Sequence, residues 1–236
     1  DKGFDLRAGA IAYCHSGYRP EAVKQAYAQS GSGMFYLRNS SGEVTFQGNC
    51  VPQANGLRQM DFSPVKAEGW YTLEVDGKKS RPFRIGREAY IPAAWKTLNF
   101  FFSERCGFDV PGIHTECHMD VMSVHPDGRR LPVCGGWHDA GDLTQAAINT
   151  AESVFAMLEL AIAEREAQPE LSQRAKEEAR WGLNWLMRTR WGDGYRHNGT
   201  VIGFWSDNIQ GTLDDINADS GNRPFDNFMI AGVCAK

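Results

Sequence analysis

Near residue 86 the spacing of apolar residues changes its period, and that change constrains the fold of this chain more than any other feature. Before it the period is two. Gly69-Trp70-Tyr71-Thr72-Leu73-Glu74-Val75 puts Tyr71, Leu73 and Val75 on one face and Thr72 and Glu74 on the other, as a strand does. Phe35-Tyr36-Leu37 and Glu43-Val44-Thr45-Phe46 flank Asn39-Ser40-Ser41-Gly42, which is a hairpin signal. Asp76-Gly77 supplies turn chemistry, because glycine accepts positive φ without steric penalty. Gly17-Tyr18-Arg19-Pro20 reads as another turn, and Pro82-Phe83-Arg84-Ile85 as a final strand. Several short strands at regular spacing, with no helical stretch among them, predict a small β-sandwich over residues 1–86.

After it the period is helical. From Pro92 onward Trp95, Leu98, Phe101 and Phe102 recur at three- and four-residue spacing, predicting an amphipathic helix that ends near Cys106-Gly107. Residues 107–141 carry no clear period, and a loop of that length in a compact domain suggests function or a bound ion. Ala147, Ile148, Ala151, Val154, Phe155, Leu158, Ala161 and Ile162 then predict a long amphipathic helix. Gln168-Pro169-Glu170 breaks it. A second helix, apolar at Ala175, Ala179, Gly182, Leu183 and Leu186, runs to about Arg190, and so short a link makes a helical hairpin. Trp191-Gly192-Asp193-Gly194 opens another irregular stretch to about Pro224, and Phe225 to Val233 begin a further helical pattern.

Composition narrows the partners. A formal net charge of −4 and a pI near 5.9 give no electrostatic reason to expect nucleic acid or anionic membrane. No apolar run approaches the ~20 residues needed to span a bilayer. There is no cleavable signal-like start, although Asp1 could follow a removed one; a secreted or periplasmic location is expected. Six cysteines decide the compartment weakly, and allow about 15 pairings. The 7 tryptophans suit stacking on sugar faces, although core filling explains any single one equally well.

Cys134-Gly135-Gly136-Trp137-His138-Asp139-Ala140-Gly141-Asp142 sets two carboxylates three residues apart at the mouth of a helical pattern. The Gly135–Asp142 stretch resembles the catalytic-base signature of glycoside hydrolase family 9, in the subgroup with an immunoglobulin-like domain before the catalytic domain. Ser80-Arg81-Pro82-Phe83-Arg84-Ile85, the stretches Arg105-Cys106-Gly107 and Cys117-His118, and Asn222-Arg223-Pro224-Phe225-Asp226-Asn227-Phe228 agree in order. The resemblance implies an immunoglobulin-like β-sandwich over 1–86 followed, over 87–236, by the first helical hairpins of an (α/α)6 barrel. The family's catalytic acid, a glutamate near the far end of that barrel, has no counterpart here, nor has a substrate-binding histidine ahead of it. The remainder of the catalytic domain is therefore an expected partner, the chain being apparently truncated.

What the resemblance implies chemically is inverting hydrolysis of β-1,4-linked glucan or related β-linked oligosaccharides, without an organic cofactor. Such hydrolysis uses one carboxyl group to protonate the leaving oxygen and another to activate a water. Asp142 corresponds to the base, with Asp139 as its neighbour. From the residues alone Asp142 also reads as the N-cap of the next helix, where the macrodipole favours an ionised carboxylate. An exo-acting β-glucosidase or glucosaminidase is the alternative within the family; a non-catalytic carbohydrate-binding fragment is the alternative outside it.

Metal sites are expected from two clusters. Cys106, Cys117 and His118 suit Zn²⁺, and the resemblance implies a structural zinc held by this pair of stretches. The fourth ligand is unassigned: some relatives place a histidine three residues beyond the base, where this chain has Gln145, and His114 and His125 are substitutes. A Cys106–Cys117 disulfide or free buried thiols are the alternatives. Asp214 and Asp215, with Asp207 and Asp219 nearby, offer oxygens to Ca²⁺ or simply form turns. Trp205, Tyr195 and Phe204 are candidate platforms for glucosyl rings or packing residues, and His138 orients the motif loop, packs or touches substrate.

Overall fold

The computed structural model describes residues 10–29 and 33–236; the parts of the expected sandwich at 1–9 and 30–32 lie outside the described residues. The chain divides into two compact units, Asp1–Ala94 and Trp95–Lys236.

Among its described residues the first unit holds nine strands: β1 (Ile11–Ala12), β2 (Gln25–Ala28), β3 (Met34–Asn39), β4 (Val44–Asn49), β5 (Val51–Pro52), β6 (Arg58–Asp61), β7 (Gly69–Val75), β8 (Lys78–Lys79) and β9 (Phe83–Ile85). They form two antiparallel sheets. One runs β1-β2-β6-β5; the other runs β4-β3-β7-β8, with β9 also paired to β7. Ala26, Ala28 and Met60 from the first sheet meet Phe35, Leu37, Leu73, Val75, Phe83 and Ile85 from the second in one buried core. Fully burying one such Phe or Leu is worth about 1.5–3 kcal/mol. The alternation in β7 is realised, with Tyr71, Leu73 and Val75 inside and Trp70 exposed. The hairpin at Asn39 is realised too: the Asn39 side chain accepts N–H bonds from Ser41 and Glu43, both at 3.0 Å. Asp76 (φ 50°) and Gly77 (φ 72°) form the left-handed corner between β7 and β8.

Helix α1 (Ile91–Ser103) leads into the second unit, which continues with β10 (Met122–Val124), β11 (Arg130–Pro132), β12 (Gln145–Ala146), α2 (Ala147–Ala163), α3 (Pro169–Arg188), β13 (Arg196–His197), β14 (Gly199–Thr200), β15 (Asn217–Gly221) and α4 (Pro224–Cys234). Helices α2 and α3 pack on each other across residues 164–168, as the helical hairpin requires. Their contact buries Ala147, Ala151, Val154 and Ala161 against Leu171, Ala175, Ala179 and Leu186, while Phe155 and Ile162 of the expected stripe remain exposed.

The two stretches without period contain strands. Strands β10 and β11 make a hairpin around Asp127-Gly128, and β15 pairs with β10 in parallel and with β13 in antiparallel. Each is five residues or shorter, too short to show alternation. Among the described residues no helix is long and apolar enough to cross a membrane.

Candidate active site and metal centre

The motif occupies the stretch between β11 and β12. Gly135 (φ 117°) and Gly136 (φ 64°) are both left-handed, and a Cβ on either would fall 3.0 Å or closer to the Trp185 ring. Only glycine lets the backbone lie this close to α3. Trp137 follows, buried, with its indole over Gly182 of α3, where a Cβ would fall 2.3 Å from the ring. Its Nε1 donates to Oε1 of Glu178 at 2.8 Å. Glu178 is fully buried, and also accepts two bonds from Arg105, at 3.0 and 2.9 Å, and one from Arg174 at 2.7 Å. Four donors on one buried carboxylate keep its charge satisfied.

Asp139 and Asp142 then sit on one exposed turn. The Asp139 N–H donates to Thr144 O and the Leu143 N–H to Ala140 O, both at 2.9 Å, with Leu143 left-handed at φ 56°. Asp142 Oδ1 accepts the Thr144 N–H at 3.2 Å, and its carbonyl accepts the Gly203 N–H at 2.8 Å. The two carboxyls are driven apart in acidity. Partial burial, and then the charge of Asp142, raise Asp139 above its ordinary value. The Thr144 N–H holds Asp142 below its own. A pair split in this way suits one member to stay ionised as a base and the other to hold a proton. A cleft of about 210 Å³ beside the turn is lined by Phe100, Phe101, Trp137, Asp139, Asn149 and Ser153.

Asp142 is not a helix cap. Helix α2 begins at Ala147 with Ala146 in the cap position, and β12 intervenes. The ionised state of Asp142 therefore owes nothing to the dipole of α2, whose effect fades within a turn. A peptide N–H in its own turn does that work.

Behind the turn, Cys106, Cys117, His118 and His138 converge, all buried, with one donor atom of each within 4.8 Å of the others. His138 is the unassigned fourth donor. It stands next to Asp139, and its ring turns toward the cysteines. His138 Nε2 lies 3.2 Å from His118 Nδ1 and 3.7 Å from Cys117 Sγ, and Cys106 Sγ lies 3.5 Å from His118 Nδ1. Tetrahedral zinc, with bonds of about 2.3 Å to sulfur and 2.0–2.1 Å to nitrogen, demands separations of about 3.3 Å for N–N and 3.6 Å for S–N. The donor set fits that ion. His118 Nε2 faces the Phe204 carbonyl at 3.0 Å, which fixes the ring so that Nδ1 points into the cluster. The hydrogen bond between the two sulfurs is the first cause of both shifts: it pulls Cys117 down, against burial and with help from His118 and His138, and pushes Cys106 up, together with burial. All six cysteines are free, so the Cys106–Cys117 disulfide is not formed.

The remaining candidates separate. Gln145 donates to Gly135 O at 2.6 Å, supporting the motif rather than a metal. His114 turns both ring nitrogens to carbonyls, and His125 pairs with Asp127 and Asp193. Trp205 stacks on His118 and His114, with centroids 5.5 and 5.4 Å away, and so roofs the Cys/His cluster while its other side stays open. Tyr195 packs edge-on to His125 and lines a separate groove of about 530 Å³ with Arg190 and Asn227, which shares no residue with the cleft at Asp139. The acidic group is Asp120, Asp207 and Asp214. Asp215 stands outside it, accepting the Gly211 N–H, and Asp219 is tied into β15.

A family model for "Glycosyl hydrolase family 9" matches residues 90–219, and one for "Cellulase N-terminal ig-like domain" matches residues 14–80. Endoglucanase C of Cellulomonas fimi is 28% identical over 220 residues, which cover 72% of this chain and 20% of that protein. A mutant thermostable endoglucanase from Alicyclobacillus acidocaldarius superposes with a TM-score of 0.66 at 23% identity, over 96% of this chain and 50% of that one. A Zn-binding triple mutant of the family 9 endoglucanase J30 gives 0.59 at 28% identity, over 86% and 44%. The chain thus spans a fifth of that curated relative and about half of these solved structures. With the family model covering residues 90–219, the chain belongs to glycosyl hydrolase family 9.

Proposed function

We propose that this chain carries the base half of an inverting hydrolase of β-1,4-linked glucan. The observation that supports it most is the split carboxylate pair on one exposed turn, Asp142 held acidic and Asp139 raised. Asp142 accepts a proton from water; the oxygen attacks the anomeric carbon; the glycosidic C–O bond breaks; and the leaving oxygen takes a proton from a general acid across the sugar, which inverting enzymes hold about 6.5–9.5 Å from the base. No residue of this chain is assigned to that acid. Asp139 holds the water beside Asp142. The helical unit is the first part of a family (α/α)6 barrel, residues 87–236, behind an immunoglobulin-like sandwich over 1–86, in a secreted or periplasmic enzyme.

Cys106, Cys117, His118 and His138 hold a structural zinc behind the turn, supported by separations near those of a tetrahedral site. Its contribution is to pin the loops that carry Trp137 and Trp205. Asp120, Asp207 and Asp214 are the weaker case, for calcium, because most of their oxygens already accept local N–H and O–H groups.

The test is Asp142→Ala in the full-length protein, assayed on cello-oligosaccharides and on soluble β-1,4-glucan. Loss of about 100- to 10,000-fold in kcat, with the fold intact by circular dichroism, is expected for removal of a general base. Hydrolysis at the unsubstituted rate refutes the assignment.

A further inference from the structure

The motif backbone is held by side chains as well as by an isolated bridge to residues 104–106, in which Gly136 O accepts the Cys106 N–H at 3.1 Å and the His138 N–H donates to Glu104 O at 2.9 Å. From residue 133 to 136 each successive carbonyl accepts a side-chain donor: Val133 O from Trp185 Nε1 at 2.8 Å, Cys134 O from Arg188, Gly135 O from Gln145 Nε2 at 2.6 Å, and Gly136 O from Trp181 Nε1 at 2.8 Å. The next residue reverses the direction, Trp137 Nε1 donating to Glu178. Glu178, Trp181, Trp185 and Arg188 are spaced by three, four and three residues, so they form one stripe along α3. The α2-facing stripe, Ala175, Ala179 and Leu186, is a different one.

We propose that this stripe is the template that positions the catalytic turn, with Trp137, Trp181 and Trp185 as positioning residues that act through the backbone on Asp139 and Asp142. The proposal rests on the reading of Asp142 as the base. The N–H of an indole on a helix is a donor fixed in direction, because the ring has few rotamers and these three are packed. The contacts differ in distance along the chain from Asp139: two residues for Trp137, three for Gly136 O, six for Val133 O. They differ in burial in another order, with Trp185 1% exposed, Trp137 5% exposed and Trp181 half-buried. Positioning and mere packing therefore rank the three tryptophans differently.

Phenylalanine at each position keeps a ring and removes the donor. Since a displacement of about 1 Å can cost ~100-fold, positioning predicts kcat losses on the order of 100-fold for Trp137→Phe, 10-fold for Trp181→Phe and 2-fold for Trp185→Phe, with KM within about twofold throughout. Thermal midpoints should instead fall most for Trp185→Phe. The measurement is kcat and KM on a cello-oligosaccharide with the full-length protein, at a temperature where circular dichroism shows each variant folded, beside the melting curve of each. Losses in kcat that follow the melting order, or equal losses in all three, overturn the proposal. Should Trp137→Phe not fold, the order of the other two still decides it. Asp142→Asn run alongside separates the two claims: an active Asp142→Asn refutes the base, whereas an inactive one beside a fully active Trp137→Phe and Trp181→Phe refutes only the template.

Discussion

The sandwich and the helical unit are built on different interactions. In the first, the buried cluster is carbon against carbon: Tyr18 meets Phe62 and Phe83 edge to face and those two rings meet at a tilt, with centroids 5.1–5.8 Å apart, and the polar groups lie mostly on the outer faces. In the second, the interior around the motif contains Glu178, Trp137, His118, His138, Cys106 and Cys117, each tied to a polar partner or sited to take an ion. An apolar core tolerates small shifts at modest cost, because the hydrophobic effect has no direction. A directional network does not, since a buried group deprived of its partner costs about 1–3 kcal/mol. The first unit is organised for stability, the second for fixing atoms in place.

That contrast can be broken by experiment. Phe83→Ala should cost about 3–5 kcal/mol in native-state hydrogen exchange of the β7 and β9 amides, the usual loss for a large buried ring. A cost below 1 kcal/mol would mean that the sandwich is not held by this core. If the proposed zinc is bound, a chelator should leave exchange in the sandwich unchanged but release protection at the amides of Cys106 and His138. If ion stood a hundredfold above its Kd, the loss is about 2.7 kcal/mol. Unchanged protection, with no metal found on analysis, would leave the cluster as buried thiols and rings. The smallest effect is in the pH–rate profile. Because the proposed base acts ionised and the Thr144 N–H lowers its pKa, activity is retained as pH falls until it passes below the ~3.9 of an ordinary aspartate. An acid limb at or above that value contradicts the geometry at Asp142.

Much of this was legible in the sequence where a pattern is local. The Asn39–Gly42 hairpin, the alternation of β7 and the stripes of α2 and α3 all arise from neighbours within a few residues. Asp142 was misread as a cap although the clue was present: the helical period starts at Ala147, five residues on, and a capping aspartate stands immediately before the first helical residue. His138 was hidden by its company, since a histidine beside two acidic residues reads as part of their chemistry. Its signal was the need of Cys106, Cys117 and His118 for one more donor of the same kind, and a buried motif histidine was available. The second stripe of α3 could have been seen as Glu178, Trp181, Trp185 and Arg188 at helical spacing. Its partners could not, being 41 to 54 residues away in the chain.

Residues 203–205 join the two centres. The Gly203 N–H holds the Asp142 carbonyl, the Phe204 carbonyl holds His118, and Trp205 lies flat on that histidine. Three consecutive residues thus have one end on the Asp139–Asp142 turn and the other on the Cys/His cluster. His118 is bonded to the Phe204 carbonyl, one peptide unit from the bond to Asp142, so a shift of that ring is passed to the turn through a single residue. Were the proposed zinc held there, its loss would loosen the turn and the cluster together, and would register in the melting curve as well as in activity.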